Sequence, residues 1–399
     1  MEGFEFSTIN SNLSPQARSF LDEAADEFQR SHPSYPITIN NLVWADAWQQ
    51  LMHSALYKSG PTLSEIGAPW TSDFVGMNCL RPFDQREIEQ LGGRSAYPAS
   101  SWANCLAGRK GEIWSIPARI DVVAVFYWKD MLEAAKIDPA PAFSTTEHFV
   151  ETLERLQAAG MEKPLSMVTS LSRAGVYRAA TWIWGAGGEI IDSAGRLAFL
   201  RPAAQAGLRA YFSLHRFLAP GQPTFFDSFF NRRTAVIVHG YDVLNRFRAG
   251  QGLGWSAGLD SMLAAAQTPG PAFVGGSNLV IWQHADPDSL TRALDFIVQW
   301  TRSPAMLNYC RHSDMLPARE ELLAALVAEG DPRIQVLIAA LRGGRTPVSA
   351  QTWIPVAERL GGAFGWIWAE LRKDPAQDIA GLIKHATELA VQRLEHSLL

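Results

Sequence analysis

The 399-residue sequence predicts an α/β protein of about two or three domains. Three features carry that prediction. Strand–helix units repeat from the N-terminus. The run Val122 to Trp128 is apolar without interruption, which suits a strand covered on both faces in a parallel sheet. The breaker-rich stretch Pro269 to Gly276 leads into a further strand, Asn278 to Gln283, and reads as a passage between lobes.

Taken in order, Phe4 to Ile9 alternates as a first strand, and Asn10-Ser11-Asn12 is a loop. Ser14-Pro15 opens a helix, serine as N-cap and proline at the first helical position. Its apolar face is Ala17, Phe20, Leu21, Ala24 and Phe28. Ile37 to Val43 is a second strand. Trp44 ends it, and Asp46 caps a helix carrying Trp48, Leu51, Met52 and Leu56. Thr62 to Ile66 is a third strand, followed by the loop Gly67 to Asp73. In such sheets, ligands sit outside the carboxyl ends of the strands. The loops there are Asn10 to Asn12, Val43-Trp44 and Pro69-Trp70 to Asp73, and two of the three carry a tryptophan beside polar groups.

The stretch Gly111 to Asp138 holds a short strand with Pro117, the apolar run, and a helix after Lys129-Asp130. Arg119 and Asp121 sit at the mouth of that run. They read either as a solvated ion pair or as charges facing a cleft where the chain crosses between two lobes. Ser144 or Thr145 caps a helix to about Ala159, with Glu147 placed for a capping box. Leu165 to Val168 is a strand. Gly175 to Trp184 is a helix holding Tyr177, Thr181 and Trp182. Pro202 to Phe217 and Phe225 to Phe230 are helical. Ala235 to Val238 is a buried strand ending in His239-Gly240-Tyr241-Asp242. Pro287 to Thr301 is an amphipathic helix, and Glu320 to Leu399 is mostly helical, broken at Gly330, Gly343-Gly344 and Asp374-Pro375.

Composition narrows the function. Hydrophobic residues at 47% and charged residues at 19% describe a globular chain. A formal charge of −5 and no basic stripe argue against nucleic acid. No apolar run is long enough to span a membrane. The N-terminus MEGFEFSTIN has no basic stretch followed by an apolar one, so the chain is either cytoplasmic or a mature form whose secretion signal is gone. Cys79, Cys105 and Cys310 allow one disulfide at most, lack a Cys-x-x-Cys spacing, and read as small buried hydrophobes. Fourteen tryptophans are about two to three times the usual share. Most of them fill core; those beside glycine, proline or polar residues would suit sugar faces or flat or cationic ligands.

Catalytic signatures are sparse. Gly254-Trp255-Ser256-Ala257-Gly258 matches Gly-x-Ser-x-Gly, but loop residues precede it where a nucleophile elbow needs a buried strand. No histidines stand at metal-ligand spacing and no metal or cofactor is expected. His239 alone occupies a plausible cleft position, with a hydrogen-bonded strand-end histidine as the plainer reading. A glycosidase would need two carboxylates, and only Asp121 and Asp242 offer themselves.

Four landmarks together resemble the extracytoplasmic solute-binding proteins of bacterial ABC importers, the large family that includes maltose-binding protein. They are the helix Phe20 to Phe28 with His32-Pro33 and the strand Ile37 to Val43; the hinge-like block Gly111 to Pro139; Arg233 to Tyr241; and Phe273-Val274-Gly275-Gly276 with Met315 to Arg319. The resemblance covers essentially the whole chain. Departures are Trp128 where asparagine is usual, Pro61-Thr62 where Pro-Asp is usual, and no lipobox or signal sequence.

The resemblance implies a two-lobed periplasmic-binding-protein fold (type II), two doubly wound mixed sheets joined by hinge crossings, closing on a ligand by hinge motion. The expected lobes are residues 1–118 with 275–330, and 119–274 with 331–399. It also implies a periplasmic or otherwise extracytoplasmic monomer. That monomer captures a mono- or short oligosaccharide and delivers it to ABC permease subunits, without catalysis. By position, Asn10, Asn12, Trp44, Trp70 and Gly276 match first-lobe and hinge contacts. Asp121 matches an acid that accepts sugar hydroxyls. Tyr177, Trp182, Tyr241 and Trp353 match second-lobe contacts. Asp73, Arg119, His239 and Asp242 join the ligand-binding set from the reading of the residues themselves. Arg119 leaves room for an acidic sugar or another anion. The alternatives are a polyamine, opine or organic-acid receptor of the same fold and, more remotely, a carbohydrate-active enzyme using Asp121 and Asp242.

Overall fold

The computed structural model describes the chain except residues 1–2, 12, 108–110, 170–172, 219–224, 251, 253–255, 348–352 and 398–399. Its strands in chain order are β1 (Phe4–Ile9), β2 (Ile37–Leu42), β3 (Leu63–Gly67), β4 (Leu106–Ala107), β5 (Glu112–Ile113), β6 (Ile116–Val122), β7 (Ala124–Trp128), β8 (Leu165–Ser166), β9 (Val236–His239), β10 (Leu263–Ala266), β11 (Val274–Ile281) and β12 (Leu316–Pro317). Two compact units result. The first is Met1–Asp121, Val274–Gly330 and Ser349–Trp353; the second is Val122–Phe273, Asp331–Val348 and Ile354–Leu399. The first break falls between Asp121 and Val122, so Arg119 and Asp121 both belong to the first unit.

The first unit is built on a sheet ordered β12-β6-β11-β3-β1-β2. β1 pairs in parallel with β2 and with β3, while β11 runs antiparallel to β3 and β12 antiparallel to β6. The helix Pro15–Ser31 covers one face with Ala17, Leu21, Ala24 and Phe28, and the helix Pro287–Arg302 packs beside it. Phe4, Phe28 and Phe296 meet edge to face, with the Phe4 and Phe28 rings 5.4 Å apart. Ser14 caps its helix as the sequence predicts: its hydroxyl accepts from the Ala17 amide at 3.0 Å, and Pro15 follows. Ser14→Ala should therefore lower the free energy of unfolding by about 1 kcal/mol in urea titration.

The second unit holds the sheet β10-β7-β9-β8. β7 is antiparallel to β9, and β8 is parallel to β9. Its core lies among helices Arg173–Gly185, Pro202–Ser213, Trp353–Lys373 and Ile379–Ser397, where Trp182, Tyr211 and Trp368 are each 2% exposed or less. Gly207 lets the first two of these helices touch: a Cβ there would stand 2.5 Å from the Ile183 Cα and the Trp182 carbonyl.

Three expectations change. Thr145 caps its helix by accepting from the His148 amide at 3.1 Å, so His148 and not Glu147 holds the third helical position and the capping box is not formed. The apolar run Val122 to Trp128 is not one strand. Val122 ends β6 in the first sheet, Val123 lies between, and β7 begins at Ala124 in the second. The run is apolar because the residues on both sides of the break are buried, each in its own sheet. Asp46 is not an N-cap: the helix begins at Trp44 with Val43 as its cap residue, and Asp46 sits in the first turn. There its charge favours the positive end of the helix dipole.

Candidate functional site

In the first unit, the parallel register brings Ile9, Leu42 and Gly67 out at one edge of the sheet. The residues that follow them therefore gather there. Asn10 is buried; its Nδ2 donates to the Tyr309 hydroxyl at 3.1 Å, and its carbonyl accepts from Asn41 Nδ2 at 2.9 Å. The Trp44 amide donates to Ser11 Oγ at 3.0 Å, which fixes the loop against the start of the helix. Trp70 meets Trp44 edge to face at 5.7 Å and Trp48 at 5.4 Å. Gly67 makes room for the Trp70 ring, since a Cβ there would lie 2.6 Å from it. Trp70 is 3% exposed, whereas Trp44 is half-buried. Trp44 is thus the member of this cluster with a face to offer. Asp73 is buried in the helix Thr71–Gly76. Asn12 lies outside the described residues.

Behind this edge stands a buried ion pair that the sequence reading did not anticipate. Arg119 Nε donates to Glu65 Oε1 at 2.8 Å, and Arg119 also donates to the Ile9 carbonyl. Glu65 further accepts from the Ile9 amide at 3.0 Å and from the Thr8 and Ser277 hydroxyls. The Tyr309 ring lies under the guanidinium, 5.1 Å from ring centre to Cζ, and Asp314 approaches at 3.5 Å. Burial alone would raise the Glu65 pKa. The Arg119 charge and the hydrogen bonds from Arg119, Ser277 and Thr8 outweigh it and hold the carboxyl below its ordinary range. Arg119 is 2% exposed; its Nε and Nη2 tie β1, β3 and β6 together, while among the described residues Nη1 makes only the ion-pair approach to Asp314. The solvated pairing with Asp121 is replaced by a buried pairing with Glu65. Asp121, half-buried two residues further along β6, keeps its place at this edge. Gly276 closes it. With φ at +117°, its α-carbon packs on β6 so tightly that a Cβ would come within 2.2 Å of the Arg119 carbonyl oxygen.

In the second unit, His239 ends β9 opposite Ala124, at the edge where β8 also ends. The Phe226 ring meets the imidazole edge to face at 4.8 Å, and Arg246 lies over Phe226 at 4.6 Å. Arg246 Nε donates to Asp242 at 2.7 Å, one turn earlier on the same helix. Burial of the ring, then the positive charges of Arg178 and Arg246, push the His239 pKa well below its usual value, so the ring is neutral at pH 7. Tyr177 stacks flat on Phe273, 4.4 Å between ring centres. Three sequence-predicted second-lobe contacts sit deeper: Trp182 and Tyr241 in this unit, and Trp353, which belongs to the first unit, are each 1% exposed, and Trp182 packs on Phe149 and Tyr211. These three side chains are core in the structure as it stands.

Each edge therefore presents a partial constellation. The first offers Asn10, Trp44 and Asp121 with Gly276 close to β6; the second offers His239 and Asp242. Sequence reading missed Glu65, Arg178 and Phe226. The available signal for Glu65 was a lone acid within a short strand of otherwise small or apolar residues, where a charge needs a partner. No group of three or more His, Cys, Asp or Glu is placed to hold a metal among the described residues. No described helix is long and apolar enough to cross a membrane.

This architecture is shared with solved structures of ABC-transporter solute-binding proteins. A solute-binding protein from Thermotoga lettingae, bound to α-D-tagatose, aligns over 98% of this chain and 99% of its own, with a TM-score of 0.79 and 13% identity. The T. maritima maltose-bound MalE3 aligns over 98% and 99%, with a TM-score of 0.80 and 14% identity. UgpB of Mycobacterium tuberculosis, in complex with glycerophosphocholine, aligns over 100% and 99%, with a TM-score of 0.77 and 17% identity. The fold is the two-lobed α/β fold of periplasmic binding proteins. No curated protein matches the sequence. The family model described as bacterial extracellular solute-binding protein matches residues 23–335, and the chain belongs to that family.

Proposed function

We propose that this chain is the sugar-capturing component of an ABC importer. It works outside the cytoplasmic membrane, hands its ligand to permease subunits, and performs no chemistry on it. The observation that carries this reading is the first-unit edge, where Trp44 offers an aromatic face next to the Asn10-Ser11 loop and Asp121 adds a carboxylate further along the same edge. Aromatic faces cover the C–H side of a sugar ring while carboxylates and amides take its hydroxyls. Membership of the solute-binding family supports it, as do the tagatose and maltose named for two structures of the same fold. The pairing of Asp242 with Arg246 weighs against Asp242 as a catalytic partner of Asp121.

The test is a thermal-shift and tryptophan-fluorescence titration against neutral mono- and disaccharides, with product analysis for hydrolysis. A bound sugar should raise the melting temperature without being consumed. Trp44→Ala and Asp121→Asn should each weaken binding on the order of 10-fold or more, with the ligand-free melting temperature little changed because both side chains are half-buried. Turnover of a glycoside, or full affinity in both variants, would overturn the reading.

A further inference from the structure

Arg178 lies in the helix Arg173–Gly185, and its side chain is out of place among the arginines of the second unit. The residue is 6% exposed, and its Nε is buried without a hydrogen-bond partner among the described residues. It makes no ion pair there. Other arginines of the unit that are buried or partly so have acids: Arg173 has Glu358 at 3.7 Å, Arg246 has Asp242, Arg248 and Arg333 share Asp331, and Arg345 has Glu189. The undescribed stretches of this unit contain no aspartate or glutamate apart from Glu395, near the end of the C-terminal helix. Arginine cannot shed its proton to escape the cost of burial, and an uncompensated buried charge is strongly destabilising.

The surroundings of Arg178 are rich in donors. One turn along the same helix face are Thr181 and Trp182, whose Oγ1 and Nε1 are buried without hydrogen-bond partners. The Tyr211 ring packs on Trp182 at 5.4 Å and on Trp368 at 5.3 Å; burial pushes the Tyr211 pKa up, against a hydrogen bond from Trp368 and the charge of Arg178, which places the hydroxyl within reach of the guanidinium's field. The charge of Arg178 also reaches His239, which is neutral and ends β9 at the sheet edge. Indole and guanidinium groups only donate. A buried fixed cation, flanked by donors and lacking an acid among the described residues, is complementary to an anion.

We propose that Arg178 binds an anionic group of the captured solute, a carboxylate or phosphate carried on the sugar, through charge-assisted hydrogen bonds at the His239 edge of the second unit. This rests on the solute-capture reading above and specifies the ligand within it. A planar guanidinium suits bidentate contact with either group.

The experiment uses the whole chain and pairs of probes: D-glucuronate against D-glucose, D-glucose 6-phosphate against D-glucose, and inorganic phosphate and sulfate alone. Calorimetric titration and thermal shift are read for the wild type, Arg178→Lys and Arg178→Met. The acidic member of a pair should bind about 10- to 100-fold more tightly than the neutral one, the range expected for hydrogen bonds to a charged group. Arg178→Lys should keep part of that preference and Arg178→Met should lose it. Without ligand, Arg178→Met should melt at the wild-type temperature or above, because an uncompensated charge has been removed.

Two results would overturn the proposal. One is neutral sugars binding as tightly as acidic ones in both wild type and Arg178→Met. The other is a ligand-free Arg178→Met variant melting several degrees lower, which would show that the arginine already has a structural partner. In the first case sugar capture still stands. Phosphate or sulfate binding that depends on Arg178, with no sugar of either kind bound, would support the anion site and count against sugar capture.

Discussion

Glu65→Gln should destabilise the first unit by about 3–5 kcal/mol, the usual cost of breaking a buried ion pair from one side. The substitution keeps the shape of Glu65 and leaves the Arg119 guanidinium, itself 2% exposed, without its counter-charge. Glu65 also accepts from the Thr8 hydroxyl, the Ile9 amide and the Ser277 hydroxyl, so β1, β3 and β11 all lose part of their anchoring. Since whole domains are stable by only about 5–15 kcal/mol, the urea midpoint should fall far outside experimental error. Removing both charges in Glu65→Leu/Arg119→Met should recover much of the loss, because neither charge is then left unpaired. An unchanged midpoint in the single variant would mean that the pair carries no net stability.

The same pair sets a pH dependence. Its environment depresses the pKa of Glu65 in the folded chain. A depressed carboxyl contributes stability above its unfolded pKa of about 4.3. That contribution is lost as pH falls through the lower folded value. The wild type should therefore lose more stability than Glu65→Gln on acidification below about pH 4, as read from unfolding curves at matched ionic strength.

Gly276→Ala should have the second large effect. The residue sits at φ +117°, where a side chain is strained, and the new Cβ would stand 2.2 Å from the Arg119 carbonyl and 2.8 Å from the Ile120 Cα. Those are backbone atoms in the middle of a sheet, which cannot swing away as a flexible side chain would. Backbone strain of about 1–3 kcal/mol and a comparable overpacking term together predict a loss of about 2–5 kcal/mol. Gly258→Ala is the control. Nothing lies within 4 Å of its Cβ, and it is inside the helix Ala257–Met262, so alanine there should be neutral or mildly stabilising. Equal melting temperatures for the two variants would mean that β11 can move away from β6.

Much of the fold was legible because it rests on local periodicity. The helix from Pro15 has its cap, its first-position proline and its buried face at the residues the spacing selects, save that Phe20 is only half-buried and stacks on His312. The strands at Phe4, Ile37 and Leu63 lie within a residue or two of their expected bounds. The run Val122 to Trp128 was legible as buried and not as divided, since hydrophobicity records burial but not which sheet does the burying.

The candidate site was legible by position more than by partner. Loops at the carboxyl ends of parallel strands follow from topology, so Asn10, Trp44 and Trp70 were reachable from sequence. Which tryptophan shows a face was not: Trp70 and Trp353 are enclosed, and Trp44 is half-buried. Enclosure depends on neighbours such as Gly67 and Trp48, which act only once the chain is folded.

The sequence by itself determined the α/β class, the Ser14 cap, the breaks between helices, and the family, each set by residue type and spacing along the chain. Only the tertiary structure decided the charge pairings. Arg119 could be matched with Asp121 two residues away, yet it pairs with Glu65 across the sheet; Asp242 turned to Arg246; and Arg178 has no acid partner among the described residues. A charge is compensated by what lies within a few ångströms in space, and that neighbourhood forms only when distant segments of the chain are folded together.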